Sequence, residues 1–209
     1  MKSKKGIAFI VTGLLCIIAA LALFVFNQAQ SGHARTESEN VVAVLSEQIR
    51  ETASQHHGAV FPTDDPERPM PVLTVEDRSY VGILSIPALE LELPVLSYFD
   101  ESALQITPCL YSGSIYNNDM VIGAHNYDAH FGRLRSLVMG DEVTFTDTEN
   151  NRWRFEVVDM ETLGPEQNDE LTVKQNENDW DMSLFTCNYT GSARLTVRCK
   201  EIQNDAVRP

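Results

Sequence analysis

The sequence predicts a mainly β domain, a closed or nearly closed barrel with few and short helices, carried behind one membrane-spanning helix. Three observations predict it. Seven or eight short segments after residue 72 alternate apolar with polar or small residues, the period-two pattern of half-buried strands. Polar turn signals separate several of them, as in Glu149-Asn150-Asn151 and Asn188-Tyr189-Thr190-Gly191-Ser192. One run of 20 uncharged, mostly apolar residues, 7–26, stands near the N-terminus, and no second such run follows. At 209 residues and 43% hydrophobic content the chain suffices for one packed domain with an appendage.

Residues 7–26 span about 30 Å as a helix, the thickness of a bilayer core. Lys2, Lys4 and Lys5 precede the run and no Lys or Arg follows until Arg35, so residues 1–6 are expected to stay cytoplasmic and the body to be exported. A cleavable signal peptide fits less well: its apolar core runs about 7–15 residues, and Asn27-Gln28-Ala29-Gln30-Ser31 is a poor cleavage site. Cys16 follows Leu14-Leu15, which lack the small side chains of a lipoprotein signal. Residues 27–71 read as a juxtamembrane helix and a linker. Thr36 is placed to cap the helix with Glu39 three residues on, and Val41, Val44, Leu45 and Ile49 share a face, for which a stalk is the expected role. Pro62, Pro66, Pro69 and Pro71 mark the linker, and His56-His57 read as an exposed pair rather than a metal site.

The barrel is expected over residues 72–203, with a tail at 204–209. Its strands are Tyr80-Val81-Gly82-Ile83-Leu84-Ser85-Ile86-Pro87, Leu89-Glu90-Leu91-Glu92-Leu93-Pro94-Val95, Met120-Val121-Ile122-Gly123-Ala124, Asp141-Glu142-Val143-Thr144-Phe145, Trp153-Arg154-Phe155-Glu156-Val157-Val158, Met182-Ser183-Leu184-Phe185-Thr186 and Arg194-Leu195-Thr196-Val197-Arg198. The polar stretch 169–181 reads as a loop or short helix.

Charge narrows the partners. The three N-terminal lysines are the only charges before residue 27, so 13 of the 16 basic residues face all 30 acidic ones in the body. Such a body repels phosphate backbones and anionic lipid surfaces, which excludes nucleic acid.

Cys187 ends a strand before a turn, and His125 ends another in Gly123-Ala124-His125-Asn126-Tyr127. Arg194 opens the strand that hairpins back from Cys187, whereas Arg198 lies about 13 Å further along. A thiol nucleophile, an imidazole for proton transfer and a fixed cation for an oxyanion make one plausible set. A buried cysteine with a hydrogen-bonded histidine is the plainer alternative.

The run Ser183-Leu184-Phe185-Thr186-Cys187, with Arg194 seven residues on, resembles the Thr-Leu-x-Thr-Cys…Arg signature of sortases, the cysteine transpeptidases of Gram-positive cell surfaces. His125 falls in the matching place, about sixty residues before the cysteine. Val81-Gly82-Ile83-Leu84-Ser85-Ile86-Pro87 resembles that family's first barrel strand, and Gly140-Asp141-Glu142-Val143 its Gly-Asp strand start. The likeness covers about residues 80–202. It implies a sortase-like eight-stranded barrel and no cofactor or metal. The implied partners are secreted proteins with a C-terminal Leu-Pro-x-Thr-Gly-like motif, and a peptidoglycan precursor, pilin lysine or other amine acceptor. Cys187, His125 and Arg194 take the catalytic places, with Thr186, Asn126 and His130 as expected substrate contacts. The N-terminal helix and the His125-Asn126 pair are similar to class B, the compact chain to class D. Ser183 stands in place of the usual Thr, and Ala124 where many members have Gly.

Cys109 and Cys199 read as small buried hydrophobes rather than a disulfide. Asp64-Asp65, Asp141-Glu142 and Glu149 read as solvated acidic surface rather than a calcium site, since no regular ligand spacing appears. The competing function is an exported, non-catalytic β-domain that binds cell-surface ligands.

Overall fold

The computed structural model describes residues 4–55, 65, 67–174, 176, 179–188 and 191–202. The expectations for His56, His57 and Asp64 lie outside these residues. The chain divides into two compact units, Met1–His33 and Ala34–Pro209.

Helix α1 is Lys4–Gln55 and contributes to both units. In the first unit its side chains from residue 6 to 29 are exposed, Phe9 by 79% and Ile10 by 72%. An apolar helix this bare is long and apolar enough to cross a membrane. In the second unit α1 is not a bare stalk. Ala34, Ser38, Val41, Leu45 and Ile49 form a buried stripe, and the last three pack with Val75, Tyr80, Ile83, Leu96, Ala103 and Cys109. Thr36 lies inside the helix rather than capping it, and Glu39 pairs with Arg35 at 2.9 Å. Nothing between the two apolar runs breaks a helix; Gly32 costs only about 1 kcal/mol.

Nine strands follow among the described residues: β1 Leu73–Val75, β2 Arg78–Ile86, β3 Leu91–Leu96, β4 Cys109–Ser112, β5 Met120–Ala124, β6 Glu142–Asp147, β7 Arg152–Leu163, β8 Met182–Cys187 and β9 Arg194–Glu201. They form one sheet in the order β1-β2-β3-β4-β5-β8-β9-β7-β6, and β6 returns to pair with β2. Eight strands, β2 to β9, thereby close the barrel, while the three-residue β1 is an added edge on the start of β2. At the closure a Cβ on Gly82 would stand 2.2 Å from the Thr146 carbonyl oxygen, so only glycine lets β6 approach. A short helix α2, Glu101–Leu104, and four 3₁₀ turns complete the described elements.

Inward-facing residues of alternate positions fill the core, among them Leu84, Ile86, Ile122, Phe145, Phe155, Leu184 and Val197. Three strand readings change. β1 and β4 are too short to be visible as patterns. β7 continues past Val158 through polar residues to Leu163, because its backbone pairs with β9 from Phe155↔Glu201 to Leu163↔Arg194.

Candidate active site

β5 and β8 run parallel and in register from Met120↔Met182 to Ala124↔Thr186, so they end level. The next residues are His125 and Cys187. β9 runs antiparallel to β8, with Cys187 opposite Arg194. The three side chains expected to act together thus occupy the ends of three adjacent strands. Ile122, Ala124, Leu184 and Val197 point into the core, so the period of two turns Gly123, Phe185, Thr196 and Arg194 outward on one face with Cys187.

Local bonds hold this edge. Asn188 closes the hairpin: its amide N–H donates to Ala193 O at 2.8 Å, and its Oδ1 accepts from the N–H groups of Ser192 and Ala193 at 3.0 and 3.3 Å. Thr186 Oγ1 donates to Ala124 O at 2.8 Å, tying β8 to β5 one residue before Cys187. The His125 carbonyl accepts from Phe131 N–H at 3.2 Å, and Phe131 is fully buried. Beneath the edge a Cβ on Gly123 would meet the Phe185 ring at 2.6 Å, so the glycine makes room for that ring. Phe185 then packs edge-on against Tyr111, and Tyr111 against Phe99, with centroids 5.1 and 4.9 Å apart.

His125 is half-buried and its ring stacks on Tyr127 at 4.9 Å. Burial holds its pKa below the ordinary imidazole value, and the charge of Glu101 opposes that shift in part. Cys187 is exposed. Cys109 and Cys199 are free and buried, and burial pushes each thiol up to about 12, which leaves them inert at neutral pH. Arg194 is half-buried, and its side chain makes no hydrogen bond or ion pair among the described residues. Arg198, the alternative cation, is buried and pairs with Glu161 at 2.8 Å, away from the strand ends.

Two of the three expected substrate contacts are placed differently. His130 is fully buried and shares a hydrogen bond of 3.1 Å with Ile106 O through Nε2. Burial pushes it down to about 4. Thr186 is 2% exposed and its hydroxyl is engaged with Ala124. Both side chains are buried, His130 against Ile106 and Thr186 against Ala124, the residue before His125. Asn126 stays beside His125 with a buried Oδ1 that has no hydrogen-bond partner among the described residues. Sequence reasoning missed Tyr127 and Glu101. Glu101 opens α2, whose Asp100 cap accepts from Ser102 and Ala103, and the Asp-x-Ser spacing was a readable helix start. The acidic residues weighed for calcium are separately engaged: Glu142 with Arg154, Glu149 with Arg68, and Asp141 with the Val138 N–H.

A model of the sortase domain matches residues 84–202, more than half of the chain. This chain belongs to the sortase family. Sortase A of Bacillus anthracis is 23% identical over 88% of this chain and 89% of its own length. Among solved structures, sortase A of Corynebacterium diphtheriae is 20% identical, covering 88% of this chain and 97% of that one with a TM-score of 0.55. A Clostridium perfringens sortase D5 transpeptidase shares the fold at 15% identity, 80% and 99% coverage and a TM-score of 0.57. Sortase C of Streptococcus pneumoniae, at 24% identity, covers 79% and 92% with a TM-score of 0.54. The expected eight-stranded sortase barrel is therefore the observed one, and membership implies a cell-surface cysteine transpeptidase.

Proposed function

We propose that this sortase cleaves a Leu-Pro-x-Thr-Gly-like sorting motif after the Thr and passes the acyl group to an amine acceptor of the cell wall, with Cys187, His125 and Arg194 as its catalytic residues. The observation that carries the reading is the meeting of an exposed thiol, a half-buried imidazole and an unengaged guanidinium at three adjacent strand ends. The peptide lies along the outer face of β5, β8 and β9. Cys187 Sγ attacks the Thr carbonyl while its proton passes to His125, which rests neutral at neutral pH because burial lowers its pKa. Arg194 donates to the carbonyl oxygen as it becomes an oxyanion. The C–N bond then breaks, His125 gives the proton to the leaving Gly amine, and a thioester remains on Cys187. An incoming amine attacks that thioester and loses its proton to His125, which returns it to Cys187 Sγ as the C–S bond breaks and the new amide is released.

The apolar part of α1 anchors the protein, with residues 1–6 on the cytoplasmic side and the barrel outside, the arrangement favoured by the lysines before it. Intact-mass measurement on the full chain in detergent, with a library of Leu-Pro-x-Thr-Gly-like peptides, tests the reading. The expected result is an adduct equal to the fragment ending at Thr, absent from Cys187→Ala. A Cys187 that reacts with no peptide and no thiol reagent would instead favour the non-catalytic binding domain.

A further inference from the structure

Arg198 is the only lysine or arginine that is buried among the described residues, at 5% exposed, and the chemistry assigned to Cys187, His125 and Arg194 makes no use of it. Its Nε donates to Glu161 Oε1 at 2.8 Å, its Nη1 to Leu171 O at 2.9 Å and Ser183 Oγ at 2.7 Å, and its Nη2 to Glu170 O. Its guanidinium carbon lies 4.8 Å from the Trp180 ring centroid. Glu170, Leu171 and Trp180 all belong to the segment that joins β7 to β8. Two of the segment's apolar residues, Leu171 and Trp180, cluster with Val121, Leu163 and Phe185 on the outer face of the barrel, while Val173 is exposed. Phe185 stands two residues before Cys187. The segment therefore hangs on the strand that carries Arg194, and the cluster it completes ends beside the nucleophile.

We propose that Arg198 is a positioning residue: it holds the β7–β8 segment as a preformed wall beside Cys187, and so sets the affinity for the peptide while Arg194 serves the chemical step. The inference rests on the peptide lying along this face, as described above. A guanidinium is suited to the task because its planar fork reaches acceptors in several directions and stacks on an aromatic ring. A lysine ammonium also donates and can sit over a ring, but it lacks the rigid planar fork that spans Glu161, Ser183 and the two carbonyls at once.

The test uses the full chain in detergent, as Arg198→Met, Arg198→Lys and the milder Glu161→Gln, which keeps the arginine. Three quantities are read: hydrogen exchange over residues 165–174 without peptide, kcat and KM for the peptide that acylates the wild type, and the rate of Cys187 alkylation by iodoacetamide. In Arg198→Met and Arg198→Lys, exchange in the segment rises about tenfold or more and KM rises about tenfold, with kcat and alkylation nearly unchanged. Glu161→Gln gives the same pattern at smaller size. Unchanged exchange and KM in all three would overturn the proposal, as would a fall in kcat at constant KM, which belongs to a group acting on the reacting carbonyl. Should Arg198→Met fail to fold, the other two variants decide. Should the wild type form no acyl-enzyme, the activity reading fails by itself, and the exchange measurement still decides what Arg198 holds.

Discussion

Arg194 and Arg198 stand on the same strand and the same face, four residues apart, in opposite surroundings. Arg198 is buried and matched by a carboxylate, a hydroxyl, two carbonyls and an indole ring. Arg194 is half-buried and matched by nothing among the described residues. Between them Thr196, opposite Phe185, keeps a buried hydroxyl oxygen without a hydrogen-bond partner among the described residues. The difference follows from solvation. An unpaired cation in the barrel wall costs several kcal/mol, so Arg198 can stay there only with its partners, whereas the half-buried Arg194 keeps access to solvent. In the proposed mechanism the matched end sets shape and the unmatched end serves the chemistry.

Substitutions at the two ends separate these roles. Cys187→Ala is expected to lower transpeptidation by about 10,000-fold or more and to leave urea unfolding within about 0.5 kcal/mol of wild type. Any acyl adduct remaining in that variant would place the nucleophile elsewhere. Arg194→Ala should reduce kcat by about 100- to 1,000-fold with the same lack of effect on stability, because it removes a donor used only in the transition state. Arg198→Met should do the reverse in stability, costing about 3 kcal/mol through the carboxylate and carbonyls it leaves behind. If both arginine variants unfolded at the same urea concentration, the contrast between the two ends would be lost.

The pH dependence of stability sharpens the matched side further. Burial pushes His130 down to about 4, while an unfolded imidazole titrates near about 6.5. Between those values the unfolded chain binds a proton that the folded chain refuses, so stability falls as pH drops from 6.5 towards 4. The stabilisation present above this window and lost through it is roughly 3 kcal/mol. His125, lowered by burial in the same direction, adds to the slope. Urea titrations at pH 7, 5.5 and 4.5 should show a shallower slope in His130→Gln than in wild type; parallel curves would mean that His130 is not a buried neutral ring. The smallest effect is expected from Ser183→Ala, which removes one acceptor from Arg198. It should cost about 1 kcal/mol and leave peptide turnover unaltered.

Much of this was legible in the chain. Alternation placed the ends of β5 and β8, so His125 and Cys187 could be recognised as strand-end residues, and the length of the Asn188–Ala193 turn favoured Arg194 over Arg198. The burial of His130 and Thr186 was not legible, because a residue's distance along the chain from His125 or Cys187 says nothing of which side of the backbone it faces. The stripe Val41, Val44, Leu45 and Ile49 was visible, but Val44 is exposed, and the cover of the other three was not legible: Val75, Tyr80, Leu96 and Cys109 come from four separate strands. The mostly polar residues 159–162 of β7 carried no strand signal, since their place is decided by pairing with β9.

By itself, the sequence determined the apolar helix, the strand-rich body, its acidic charge and the order His125, Cys187, Arg194. These are local periodicities, compositions and spacings. Barrel closure at Gly82, the docking of α1, the burial of His130 and the division of labour between two arginines on one strand were decided only by the tertiary structure. Each depends on which surfaces meet and which polar groups find partners there, and that is settled when the sheet closes on itself and water is excluded from its wall.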